Sequence, residues 1–283
     1  MIKEVKEGSN LSKSKYLMEH EKEAQRLDQK TDRERLSEQA LWAGLRPGMR
    51  VADIGCGSGK TTGFLHSLVQ PGGSAMGVDA SAERIAHAQR TQSSLGATFV
   101  CRNIYAPLED LGTFDFIWSR FFLEYHRQES FAIVQRLTDL LQPGGIMCLV
   151  DLDYNCLSHY GLPARLEKTV CGVMKTLEQT ADFDPYVGRK LYAYLYDLGY
   201  EEIRVEMSAH HLIYGELDST DAFNWATKVE VAAQNSGYPF SDYPGGYDEF
   251  RKEFMTFFQD PRRFTYTPLI ACRGRKPIKK GGQ

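Results

Sequence analysis

The segment Val51-Ala-Asp-Ile-Gly-Cys-Gly-Ser-Gly-Lys-Thr61 constrains this chain more than any other. A short apolar run reaches Asp53, glycines alternate at Gly55, Gly57 and Gly59, and a helix-competent segment follows. Glycine tolerates a backbone turn with φ > 0 and lets a ligand approach where a Cβ would collide. A strand feeding such a turn and then a helix is how an α/β sheet holds a nucleotide-like ligand. Asp79 closes the next apolar run, Ser74-Ala-Met-Gly-Val-Asp79, with a carboxylate suited to ribose hydroxyls. The pattern predicts an adenosine-containing ligand.

Helix and strand alternate around this motif. Residues 1–45 read as a polar, helix-prone arm that ends at the Pro47-Gly48 turn. Strands are predicted near 49–54, 74–78, 97–101, 114–118 and 146–151, with helices over 82–95 and 129–141. The last of these strands is apolar on both faces, as a buried parallel strand is. The expected core is therefore a doubly wound, Rossmann-like α/β sheet over 46–152. Beyond it, 153–186 reads as a helical insertion and 187–214 as a core helix with a sixth strand near 202–208. An aromatic-rich lid insertion is expected over 215–262, and a last strand with a basic tail over 263–283. Both insertions are too long for plain connections, and so are expected to cover a pocket.

Composition narrows the partners. The chain has 283 residues and a formal net charge of −3, so no general positive field draws it to nucleic acid or an anionic membrane. The six cysteines are scattered without a Cys-x-x-Cys pair, which predicts neither a disulfide frame nor a metal site. The N-terminus lacks an apolar signal region, and no apolar run approaches a membrane span. A reduced cytoplasmic protein is expected, with no membrane or nucleic-acid partner and with a homodimer as a compatible assembly.

Three nucleotide ligands compete for the glycine loop. A dinucleotide fingerprint needs a small residue at position 60, where Lys60 stands. A phosphate-binding P-loop needs its first glycine at position 54, where Ile54 stands. A ligand with adenosine but no phosphate meets neither objection, and S-adenosyl-L-methionine suits Asp53-x-Gly-x-Gly-x-Gly followed by Asp79. Asn103, after the third strand, could bond the adenine amine, and Ile104 could cover a ring face.

Together the motifs Val51–Gly59, Gly77-Val-Asp-Ala-Ser81, Phe114-Asp-Phe-Ile-Trp-Ser119 and Leu141-Gln-Pro-Gly-Gly-Ile146 carry a resemblance. Over residues 45–151 the chain resembles the class I S-adenosylmethionine-dependent methyltransferases, in particular the small-molecule group akin to the ubiquinone/menaquinone-biosynthesis enzymes. The resemblance implies a seven-stranded sheet whose last strand is antiparallel. It implies methyl transfer to an O, N or C nucleophile of a small organic acceptor, with S-adenosyl-L-homocysteine as product. It also implies that Ser119 and Arg120 line the methionine side of the cofactor, and that the N-terminal arm, with Tyr16 and Arg26, folds over it. An aspartate is commoner in the family where Asn103 stands.

The cofactor-binding candidates are thus Tyr16, Arg26, Asp53, Gly55, Cys56, Gly57, Asp79, Ala80, Asn103, Ile104, Ser119 and Arg120. His126 and Tyr154 are the weak catalytic candidates, His126 as a general base. No metal ligand set is read. The [DN]-Pro-Pro-[FY] signature of base-amine methylation is missing, since Ser119-Arg-Phe-Phe122 stands there. Two alternatives remain open: a non-catalytic cofactor-holding sensor or partner subunit, and an NAD-dependent oxidoreductase.

Overall fold

A computed structural model describes residues 33–92 and 96–278. Tyr16 and Arg26 lie outside the described residues. Eight strands form one sheet: β1 (Arg50–Ile54), β2 (Ser74–Asp79), β3 (Thr98–Cys101), β4 (Phe114–Arg120), β5 (Leu141–Leu152), β6 (His159–Tyr160), β7 (Glu201–Tyr214) and β8 (Phe264–Arg275). The path runs β3-β2-β1-β4-β5-β8, and the first five strands are parallel. β8 is antiparallel to β5 and to β7, as expected of the last strand. The two-residue β6, absent from the sequence reading, pairs with Thr265 and Phe264 at the far end of β8.

The sheet carries apolar layers on both faces because its central strands are apolar throughout. On one face Ile117, Met147 and Leu149 meet α4 (Ser130–Asp139) and α6 (Leu191–Asp197) through Val134, Leu137, Leu191 and Leu195. On the other, Phe116, Trp118 and Cys148 meet α1 (Arg33–Ala43) and α2 (Lys60–Leu68). α1 turns Leu36, Ala40 and Ala43, a helical i, i+4, i+7 set, onto the sheet. Cys148 and Cys272 are small hydrophobes inside these layers.

Two boundaries differ from the sequence reading for physical reasons. The Pro143-Gly144-Gly145 turn lies inside β5, because pairing with β4 jumps from Phe114↔Leu141 to Phe116↔Ile146 and loops those residues out. β7 continues six residues beyond Ser208 to Tyr214, because β8 offers partners as far as Phe264. α3 (Ala82–Gln92) completes the βαβ unit after β2.

The segments beyond the core build a helical layer with its own interior. α5 (Ala164–Thr180), α7 (Ser219–Ser236) and α8 (Gly246–Phe258) enclose Leu166, Met174, Trp225, Phe240, Tyr243, Phe250 and Phe254. Of the aromatics in the expected lid, Trp225, Phe240 and Tyr243 are buried there, while Phe223 is exposed.

Candidate cofactor-binding and active site

The glycine loop sits at the carboxyl ends of β1 and β2. Gly55 and Cys56 both donate their backbone N–H to the Val78 carbonyl, at 2.8 and 3.1 Å. Gly57 N–H reaches Asp79 Oδ2 at 3.0 Å. Gly55 has φ +75°, and a Cβ there would lie 2.6 Å from the Phe122 ring. Gly59, at φ +81°, serves packing: its Cβ would fall 2.6 Å from Ala88 and 2.7 Å from Phe99. Cys56 joins that packing, buried with Ile85, Ala88, Ala97 and Phe99, and burial pushes its thiol well above the usual range.

Two carboxylates flank the loop. Asp53 is buried and accepts the Thr62 hydroxyl at 2.7 Å. Desolvation, with a contribution from Asp79, pushes its carboxyl up to about 7 against the lowering effects of Thr62 and Arg120. Asp79 also accepts Ser81 N–H at 2.9 Å and the Arg84 guanidinium at 3.1 and 3.2 Å on Oδ1. Sequence reasoning misses the Arg84 ion pair, although a residue one turn into the following helix is positioned for it. Ala80, beside Asp79, is exposed.

β4 supplies the opposite wall. Ser119 pairs in register with Ile54, is buried, and its Oγ has no hydrogen-bond partner among the described residues. The Arg120 guanidinium stacks on the Phe121 ring at 4.1 Å. Past β3, Asn103 is exposed and its Oδ1 accepts Tyr105 N–H at 3.0 Å, while Ile104 is buried in the apolar layer.

Backbone strain marks the same end of the sheet. Phe121, just past β4, and Tyr154 and Cys156, just past β5, have φ of +54°, +50° and +64°. Such non-glycine conformations cost roughly 1–3 kcal/mol each and persist where surrounding structure enforces them. The enforcing contacts are buried. Asp151 accepts Leu123 N–H at 3.0 Å and Glu124 N–H at 3.3 Å, and Asn155 Nδ2 donates to Glu124 Oε2 at 2.8 Å. Burial and the neighbouring Glu124 hold the Asp151 carboxyl well above the usual carboxylate range. No periodicity announces this network, since its members meet only after folding.

The two catalytic candidates stand in different surroundings. His126 packs against the Phe122 ring at 4.5 Å and bonds Tyr105 Oη at 2.9 Å. Desolvation pushes its pKa down to about 4. Tyr154 is half exposed, with its ring 5.3 Å from Tyr186 and 4.6 Å from the Arg189 guanidinium. Among the described residues no cluster of His, Cys, Asp or Glu could hold a metal ion, and no helix is long and apolar enough to cross a membrane.

Residues 51–145 match the family model described as a methyltransferase domain. That match covers about a third of the chain, and the strand order with an antiparallel β8 is the arrangement expected from the sequence. An uncharacterised 37.1 kDa protein in transposon TN4556 of Streptomyces fradiae is 32% identical over 115 residues, 40% of this chain and 33% of that protein. The chain thus spans a third or less of the curated relatives it matches. Among solved structures, the [4+2]-cyclase SpnF shares the fold at TM-score 0.52 and 16% identity, over 87% of this chain and 82% of that one. The phosphoethanolamine N-methyltransferase 2 of Haemonchus contortus, solved with phosphomonomethylethanolamine and S-adenosylhomocysteine, does so at TM-score 0.54 and 18% identity, over 86% of this chain and 52% of that one.

Proposed function

We propose that this protein binds S-adenosyl-L-methionine and transfers its methyl group to a small organic acceptor, releasing S-adenosyl-L-homocysteine. One observation carries the reading: two carboxylates, Asp53 and Asp79, and the buried Ser119 Oγ, without a partner among the described residues, flank the glycine loop. That donor set favours a nucleoside bearing positive charge and disfavours a pyrophosphate, which carboxylates repel. The dinucleotide alternative is weakened further by Lys60 at the first residue of α2, where that fingerprint needs a small side chain.

When bound, the cofactor supplies an electrophilic methyl on a sulfonium. Asp79 would hold the ribose hydroxyls, with Oδ2 already steadied by Gly57 N–H. Asp53 would face the methionine ammonium, and Ser119 and Arg120 would border the methionine side. Asn103 would offer its amide to adenine. Alignment of two reactants can lower a barrier by roughly 7–11 kcal/mol, so a dedicated base is not required. The aromatic layer of α5, α7 and α8 supports an acceptor with apolar surface.

A second reading is a cofactor-holding protein without methyl transfer, which the same glycine loop and carboxylates would serve. Incubation of the full chain with methyl-labelled cofactor and a panel of small phenols, amines and carboxylates separates the two. Label in a small-molecule product is the expected result. Cofactor binding with no labelled product across small molecules, RNA and protein would favour the second reading.

A further inference from the structure

β7 is an open edge. Among the described residues it pairs only with β8, and its other side carries no strand along fourteen residues. Among the described residues, Arg35 of α1 reaches β7, its Nη1 donating to the Ala209 carbonyl at 3.2 Å. Edge strands are usually shortened, interrupted by proline or covered, because their free N–H and C=O groups template further pairing. β7 has no proline, and its residues Val205 and Met207 are 50% and 71% exposed. They point to the same sheet face as Cys272 and Ile270, their register partners in β8. Leu212 and Tyr214 continue the exposed apolar row on that face, and Tyr192 and Tyr196 of α6, the helix preceding β7, are exposed as well. Exposed apolar side chains gathered on one face are a feature of interaction sites.

The charges on β7 identify the occupant. Arg204 lies in register with Arg273 of β8, an unfavourable like-charge pair, because Glu202 serves Arg273 and Arg275 at 3.6 and 3.3 Å. Among the described residues neither Arg204 nor Glu206 has a salt-bridge partner. We propose that β7 pairs antiparallel with β7 of a second copy of this chain about a two-fold axis at Val205, joining the two sheets. That register sets Arg204 of each copy across from Glu206 of the other, and Ile203 across from Met207. Opposite charges directly across an antiparallel pair attract, and like charges repel. The two-fold repeats each contact, as an isologous interface requires. Antiparallel pairing also carries the bare Leu212 and Tyr214 end of one β7 toward the partner's α6 end, where Tyr192 and Tyr196 are exposed.

Sedimentation velocity on the full chain from about 0.5 to 100 µM tests this by mass action. A dimer is expected, and both Arg204→Glu and Glu206→Arg should weaken it at least tenfold, about 1.4 kcal/mol. The double exchange Arg204→Glu with Glu206→Arg should restore wild-type association, which a merely structural role for either residue would not do. Cofactor binding, measured in parallel, should be unchanged in all variants and reports that each is folded. A wild-type monomer throughout the range overturns the proposal. So does a dimer indifferent to both single changes, or β7 amide protection that is independent of concentration, which would mean that residues 1–32 cover the edge.

Discussion

Replacing Asp79 by alanine is expected to weaken S-adenosylhomocysteine binding by about 1.5–3 kcal/mol, or roughly 10- to 150-fold, the worth of hydrogen bonds to a charged group. Asp79 has two duties that the variant removes together. It orders the loop through Gly57 N–H and the turn into α3 through Ser81 N–H, and its carboxylate would receive the ribose. Arg84→Met separates them. The guanidinium takes two bonds on Asp79 Oδ1 that a ribose hydroxyl would have to share. Removing it leaves the loop contact to Gly57 intact, so Arg84→Met should bind as tightly as wild type or more tightly. If Arg84→Met loses as much affinity as Asp79→Ala, the ion pair and not the carboxylate is the determinant. Titration calorimetry on the two variants measures the difference.

Asp53→Asn is expected to stabilise the cofactor-free protein at alkaline pH while weakening the cofactor. The folded carboxyl is pushed up to about 7 from an ordinary 3.8, so the native state holds a proton that the unfolded chain releases. Below about pH 4 both states are protonated and the group has no effect. From there to about pH 7 the unfolded state ionises first and stability falls as pH rises; above that the penalty is constant, of the order of 4 kcal/mol. The amide removes that penalty and can still accept the Thr62 hydroxyl. The variant should therefore unfold several degrees above wild type at alkaline pH and together with it near pH 4, measured by thermal denaturation without ligand. Cofactor affinity at alkaline pH should drop, because the neutral amide no longer attracts an ammonium. Equal midpoints across the whole range would show Asp53 to be ionised and otherwise balanced in the fold.

The core is legible in the sequence because its signals are local. A buried strand, a glycine turn and a helix start each follow from a few adjacent residues, and Val51–Thr61 states all three in order. The same locality explains the failures. The strained turns at Phe121, Tyr154 and Cys156 depend on Asp151, Glu124 and Asn155 meeting after the chain closes, and nothing in the spacing of those residues foretells it. The sequence places His126 near the expected cofactor, but its contacts with Tyr105 and Phe122 form only on folding. Gly59 belongs to the glycine motif by spacing, yet its missing Cβ makes room for Phe99 and Ala88. β7 outruns its predicted end by six residues because its C-terminal half draws on pairing with β8, about fifty residues later in the chain.

The strained positions fit the proposed chemistry. Phe121 and Phe122 stand between the glycine loop and the rings beyond it: Phe122 against Gly55, and Phe121 with its ring 4.8 Å from His210. A wall held there by buried hydrogen bonds keeps its place when water is expelled, which is what alignment of two reactants demands.

The loop after β1 is built, on this reading, for a nucleoside that ends in a charged thioether derivative. Titration calorimetry of the 283-residue chain with S-adenosylhomocysteine, NAD and magnesium–ATP in turn decides the matter. Saturable one-to-one binding of S-adenosylhomocysteine is expected, with no measurable heat from the other two; tight binding of NAD or ATP with none of S-adenosylhomocysteine would refute the assignment.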